Sequence, residues 1–137
     1  MTVLVDTPIW SFAYRRARRT AQEQLVVDEL TNLIRREATV LIGAVRQEVL
    51  SGINDSKHFE AVRVTLRGFV ELPLTASEFE QAAMLHNHCR RKGVQGSPTD
   101  FLICTASLRN DAPIFTTDRD FARIAKHTGV RLHLLRR

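Results

Sequence analysis

The chain has 137 residues, with 20 Lys and Arg against 15 Asp and Glu, a formal charge of +5, and 44% of its residues are apolar. A single domain over residues 1–137 is expected, since this length buries roughly two-thirds of the unfolded surface without disulfide or metal staples, and a charged fraction of 26% excludes intrinsic disorder. A pI near 10.0 favours polyanionic partners, whose phosphates release counterions when basic side chains approach. Cys89 and Cys104 lack the CxxC spacing of a zinc knuckle or a redox pair, so a reducing cytoplasm is the expected setting. No run approaches the ~18 apolar residues of a membrane span, and the opening Met-Thr-Val-Leu-Val-Asp reaches an acid at once, unlike a signal peptide.

Apolar runs at residues 2–5, 38–42, 68–74, 113–116 and 130–135 alternate with segments of helical spacing. This predicts an α/β fold with five strands in one parallel sheet covered on both faces. Between the first two runs, Val26, Leu30, Leu33 and Glu37 with Val27 and Ile34 trace an amphipathic helix. Thr75 and Glu78 have the spacing of a capping box, with a helix running to about Lys92 and ended by Gly93. A further helix starts after Ser97 and Pro98 and runs through Asp100 to about Leu108.

The acids fall at telling places in this pattern. Asp6 follows the first strand run and Asp118 follows the fourth, so both sit at strand C-termini, where open parallel sheets bind their ligands. Glu48 lies on the helix beginning around Ala44, and Asp100 lies in the first turn of the Pro98 helix, on the same rim. Four converging carboxylates repel unless cations lie between them. Oxygen ligands without His or Cys suit Mg²⁺ or Mn²⁺, and the chemistry that fits a basic chain around such a site is phosphodiester hydrolysis. The same positions also suit helix caps and turn formers, and spacing alone leaves both readings open.

The segments VLVDTPIW from residue 3, QEVLSG from 47, SPTDFLI from 97 and FTTDRDF from 115 resemble, in order and spacing, those of PIN-domain ribonucleases, and among these the VapC-like toxins of bacterial type II toxin–antitoxin pairs. The resemblance runs over the whole chain. It implies a three-layer α/β/α fold with a five-stranded parallel sheet and a Mg²⁺- or Mn²⁺-dependent ribonuclease. Asp6, Glu48, Asp100 and Asp118 match the acidic set; Asp6, Asp100 and Asp118 would hold the metal and Glu48 would act through water. Thr116 matches a supporting hydroxyl, and Asp120 is an outer-shell candidate. Cys104 and Thr105 depart from the small residues usual at those positions. The resemblance further implies an RNA substrate, a homodimer and a small antitoxin lying across the site, in a complex that represses its own operon. Its alternatives are a housekeeping nuclease of the same fold and a non-catalytic basic module that binds nucleic acid.

Other residues carry weaker signals. Arg15, Arg16, Arg18 and Arg19 either meet RNA phosphates near the rim or form a solvated helix end. Arg90, Arg91 and Lys92 suit a helix C-terminus, where the macrodipole favours cations. His86 and His88 point to different helix faces and do not share a metal. Trp10, Phe12 and Tyr14 are expected in the core or at a partner groove, and Cys104 in the core. An aspartyl-phosphate phosphatase would need an acid two residues after Asp6, where Pro8 stands.

Overall fold

Short runs of Val, Leu and Ile are buried on both faces when helices cover a parallel sheet from either side. The computed structural model, which describes residues 1–15 and 17–135, is built this way. Its strands β1 (Val3–Val5), β2 (Thr39–Ile42), β3 (Val70–Leu72) and β4 (Ile114–Phe115) pair in parallel in the order β3-β2-β1-β4. Helices α1 (Thr7–Tyr14) and α2 (Ala21–Arg35) join β1 to β2, and α3 (Gly43–Ser51) and α4 (Ser56–Leu66) join β2 to β3. Helices α5 (Ala76–Arg91) and α6 (Pro98–Asn110) lead back to β4, and α7 (Asp120–Thr128) follows it.

This order fixes where a ligand can enter. The chain steps one way from β1 to β3, then crosses back past β1 to reach β4. Right-handed crossovers therefore send α1 to α4 to one face and α5 and α6 to the other. The reversal opens a crevice between the C-terminal ends of β1 and β4.

Leu4, Val5, Leu41 and Ile42 are fully buried at the centre of the core. Trp10 joins them: its indole N–H donates to the Val5 carbonyl at 3.1 Å, and its ring lies 4.9 Å from Phe69 and 6.1 Å from Tyr14. The expectation of core aromatics after Asp6 thus holds for Trp10. Truncating such a side chain costs roughly 3–5 kcal/mol.

Among the described residues the sheet has four strands, not the five expected. Residues 130–135 meet β4 at a single bridge, Ile114 with Leu132. There the Ile114 N–H donates to the Arg131 carbonyl at 2.9 Å and the His133 N–H to the Ile114 carbonyl at 2.8 Å. The ladder stops because β4 itself stops: Thr116 turns its hydroxyl to Asp6 and to the Asp118 N–H. At the opposite edge β3 is shorter than the run at 68–74, and Val70 is exposed, so this strand is not covered on both faces.

Local signals account for the helix ends. Helix α2 starts earlier than its apolar stripe because Thr20 and Glu23 form a capping box, the Thr20 N–H donating to Glu23 at 2.9 Å and the Glu23 N–H to Thr20 at 3.1 Å. The Thr75 and Glu78 box opens α5 as expected, and Gly93 follows its end at φ +73°, a conformation that glycine adopts without strain. Arg109, near the end of α6, donates to Gln81 at 2.7 Å and to the Ser77 hydroxyl at 2.8 Å, and pairs with Glu78 at 3.0 Å. Helices α5 and α6 therefore run antiparallel, and His86 stacks on Phe101 at 4.5 Å. The C-terminal end of α5 is thereby held beside Ser97 and Asp100. Among the described residues, no helix is long and apolar enough to cross a membrane.

Candidate metal centre

Asp6 is the first residue after β1 and is only 4% exposed. Its Oδ1 accepts from the Thr7 N–H at 2.7 Å, capping α1, and its Oδ2 accepts from the Thr116 hydroxyl at 2.7 Å. Thr116 Oγ1 accepts in turn from the Asp118 N–H at 3.0 Å, and Asp118 Oδ1 accepts from the Asp120 N–H at 2.9 Å. One run of hydrogen bonds thus joins the ends of β1 and β4 to the start of α7. Asp100 arrives from the other side as the third residue of α6. Its Oδ2 accepts from the Ser97 N–H at 2.8 Å, while its own N–H donates to Ser97 Oγ at 3.1 Å.

Capping and convergence on one rim, which spacing left as alternatives, occur here in the same residues. Each cap uses one side of a carboxylate and fixes the direction of the rest. Asp6, Glu48, Asp100, Asp118 and Asp120 all line one cavity of about 450 Å³, with Thr7, Pro8, Gln95, Gly96 and Ser97 completing its wall. Oxygens of Asp100, Asp118 and Asp120 lie within 4.8 Å of one another. The tightest trio therefore contains Asp120, expected in an outer role, whereas Asp6 and the exposed Glu48 lie outside it. The signal for Asp120 was its spacing of two from Asp118, which lets one short turn bring both carboxylates together. Thr7, Gln95 and Gly96 carried no such signal.

Electrostatics follow from burial and crowding. Burial pushes the Asp6 carboxyl up from 3.8 to about 6; the hydrogen bonds from Thr116 and Thr7 oppose this, and the charges of Asp100 and Asp118 add to it. Asp100 is raised as well, chiefly by burial, with the Ser97 N–H opposing and Asp118 and Asp120 contributing repulsion. The donor set is all oxygen, as Mg²⁺ and Mn²⁺ prefer. Thr7 Oγ1, on the same wall, is buried with no hydrogen-bond partner among the described residues. A hydrated cation answers both conditions, since it offsets the carboxylates and brings water to an orphaned hydroxyl.

The arginines near α1 divide. Arg19 donates to the carbonyls of Phe12 at 2.7 Å and Ala13 at 3.0 Å, and to Gln24 at 3.2 Å, tying the end of α1 to α2. Arg15 reaches Ser11 at 3.3 Å and the Gly52 carbonyl at 3.4 Å. Arg18 is exposed, and Arg16 lies outside the described residues. None of Arg15, Arg18 and Arg19 lines the acidic cavity. Cys89 and Cys104 are buried free thiols; burial pushes both up, and the charges of Asp100, Cys89 and Asp6 raise Cys104 further, so neither is poised as a nucleophile.

Comparison with known proteins agrees with this fold. FitAcB from Neisseria gonorrhoeae is similar at 16% identity with a TM-score of 0.71 over 97% of each chain. VapBC2 from Rickettsia felis, bound to a DNA fragment from its promoter, is similar at 17% identity with a TM-score of 0.75, over 97% of this chain and 98% of that one. A toxin-antitoxin complex from Klebsiella pneumoniae gives 17% identity and a TM-score of 0.66, over 88% and 91%. At such identities the likeness is one of fold, and no curated protein matches the chain. The family model for the PIN domain matches residues 3–127, a stretch that takes in every acid of the cavity, and the chain therefore belongs to the PIN domain family.

Proposed function

We propose that this protein is a VapC-like toxin of a toxin–antitoxin pair, acting as a Mg²⁺- or Mn²⁺-dependent endoribonuclease with residues 1–137 as one PIN domain. The observation that carries the reading is the trio Asp100, Asp118 and Asp120, with oxygens within 4.8 Å of one another in a cavity also lined by Asp6 and Glu48. Solved structures of the same fold include complexes of toxin with antitoxin, which supports the cellular role.

In this reading Asp100 and Asp118 hold the metal together with Asp6 or Asp120. A divalent cation bound there supplies an acidified water and offsets charge building on a phosphodiester. Thr116 keeps Asp6 and the Asp118 backbone in register, and Glu48, exposed on the cavity wall, acts through water. The remaining basic surface attracts RNA. The partners are RNA, a small antitoxin and a second copy of the chain, in the cytoplasm.

The test is expression in a bacterial host, alone and together with any small antitoxin-like reading frame found beside the gene. Growth arrest that the antitoxin relieves, and that Asp6→Ala or Asp100→Ala abolishes, is expected. Metal-dependent RNA cleavage without growth arrest would contradict the toxin role and leave a housekeeping nuclease. Cleavage undiminished by EDTA would contradict the metal mechanism.

A further inference from the structure

The chain carries more positive charge than its own carboxylates engage, and the location of the surplus is informative. Arg46 pairs with Glu71, Arg63 with Glu60, Arg109 with Glu78, Arg123 with Asp120 and Arg131 with Asp111. Arg15 and Arg19 are bound to the backbone of neighbouring segments. Exposed Arg91 and Lys92, like Arg35, Arg36, Lys57, Arg67, Arg119 and Lys126 elsewhere on the surface, make no ion pair or side-chain hydrogen bond among the described residues, and Arg90 reaches only Asn87 and His86; what sets these three apart is that they cluster at one helix end next to the cavity wall.

These three cations end α5, and the segment after them is firmly held. The Val94 N–H donates to the Cys89 carbonyl at 2.8 Å and the Gly93 N–H to the Arg90 carbonyl at 3.0 Å. Two residues on, a Cβ at Gly96 would come within 2.9 Å of the Phe101 ring and 3.0 Å of Ile124, so the loop lies flat against α6 and α7. Gln95, Gly96 and Ser97 then form a wall of the acidic cavity. A cationic edge is thus fixed one short loop from the carboxylates without pairing to them. The helix macrodipole makes cations welcome at this end, by about 0.3–1 kcal/mol, but it gives no reason for the cavity wall to begin there.

We propose that Arg90, Arg91 and Lys92 grip the backbone phosphates of single-stranded RNA beside the bond that is cut, so that the strand enters the acidic cavity over the loop at Gln95 and Gly96. This rests on the reading of the cavity as a ribonuclease site and adds to it a substrate-positioning surface. The scissile phosphate sits among carboxylates offset by metal, whereas its neighbours along the strand lie beyond that metal and need cations of their own.

The test separates grip from chemistry. Binding of a short fluorescein-labelled single-stranded RNA of mixed sequence is followed by anisotropy at several salt concentrations, with Mg²⁺ present and with Asp100→Asn as the common background. Adding Arg91→Ala and Lys92→Ala should weaken binding about tenfold and reduce the slope of log affinity against log salt by about 1.4, the loss of two phosphate contacts at ~0.7 each. The control removes the same charge elsewhere, as Lys57→Ala on α4 with Arg67→Ala at its C-cap, across the sheet, and should leave the slope unchanged. In the cleavage-competent chain, Arg91→Ala with Lys92→Ala should raise KM and spare kcat. Equal slopes for the two double variants would overturn the proposal, as would a fall in kcat at unchanged KM. A lowered slope in a chain that never cuts RNA would keep the grip and refute only the nuclease reading.

Discussion

The Thr116 hydroxyl donates to Asp6 Oδ2 at 2.7 Å across 110 positions of sequence, and the same oxygen accepts from the Asp118 N–H at 3.0 Å. One side chain therefore sets the separation of two acids that come from different strands.

Thr116→Val removes that hydroxyl at nearly constant volume. Outer partners of metal ligands are commonly worth 10–100-fold in affinity or activity, and a loss of about that size in Mg²⁺-dependent cleavage is expected. Thr116→Ser, which keeps the hydroxyl, should retain most of the activity. Equal activity of the Val and Ser variants would show that the hydroxyl does not hold the site together.

Asp6 makes the metal-free fold sensitive to pH in a definite direction. Its carboxyl titrates at about 6 in the fold against an ordinary 3.8, so between these values the folded state binds more protons than the unfolded one. Stability from this group is present below pH 3.8, falls as pH rises to 6, and above that the buried charge costs on the order of 3 kcal/mol. Asp6→Asn should therefore raise the thermal midpoint of the metal-free protein at pH 7 more than at pH 4. Millimolar Mg²⁺ should reverse the order at pH 7, because it stabilises only the charged site. Thermal unfolding of both chains with EDTA and with Mg²⁺ measures this.

Asp100 serves as both cap and candidate ligand, and two substitutions separate the roles. Asp100→Ala loses the acceptor for the Ser97 N–H and should cost about 0.5–2 kcal/mol of stability as well as activity. Asp100→Asn keeps an acceptor oxygen and should unfold close to wild type while remaining inactive. Denaturant unfolding beside RNA cleavage checks both.

Arg19→Ala should lower stability by about 1 kcal/mol by freeing carbonyls at the end of α1. Cleavage per folded molecule should not change, because Arg19 does not line the cavity. A specific loss of RNA binding would return Arg19 to the substrate surface.

The rim was legible in the sequence because its acids follow strand ends and open helices, positions that apolar runs and capping patterns mark directly. Asp6 after Val5 and Asp100 three residues after Ser97 needed no tertiary knowledge. The trio was legible only in part: the spacing of two from Asp118 marked Asp120 as an outer candidate, but its place beside Asp100 and Asp118 depends on the turn made where Thr116 leaves the sheet to reach Asp6. The same departure explains the overestimated fifth strand: the run at 130–135 has strand-like composition, but β4 offers it only one bridge. Nor does sequence separate Arg19, bound to the α1 carbonyls, from Arg91, which projects unpaired; both are arginines in basic runs.

The most direct measurement is the initial rate of RNA cleavage by the purified chain as Mg²⁺ is titrated from zero, beside Asp100→Asn and Asp118→Asn made in the same way. Cleavage that rises and saturates with Mg²⁺ in the wild type and stays at background in both variants is the expected result. Variants that cut as fast as the wild type, or cleavage indifferent to Mg²⁺, would contradict an acidic metal site as the seat of activity.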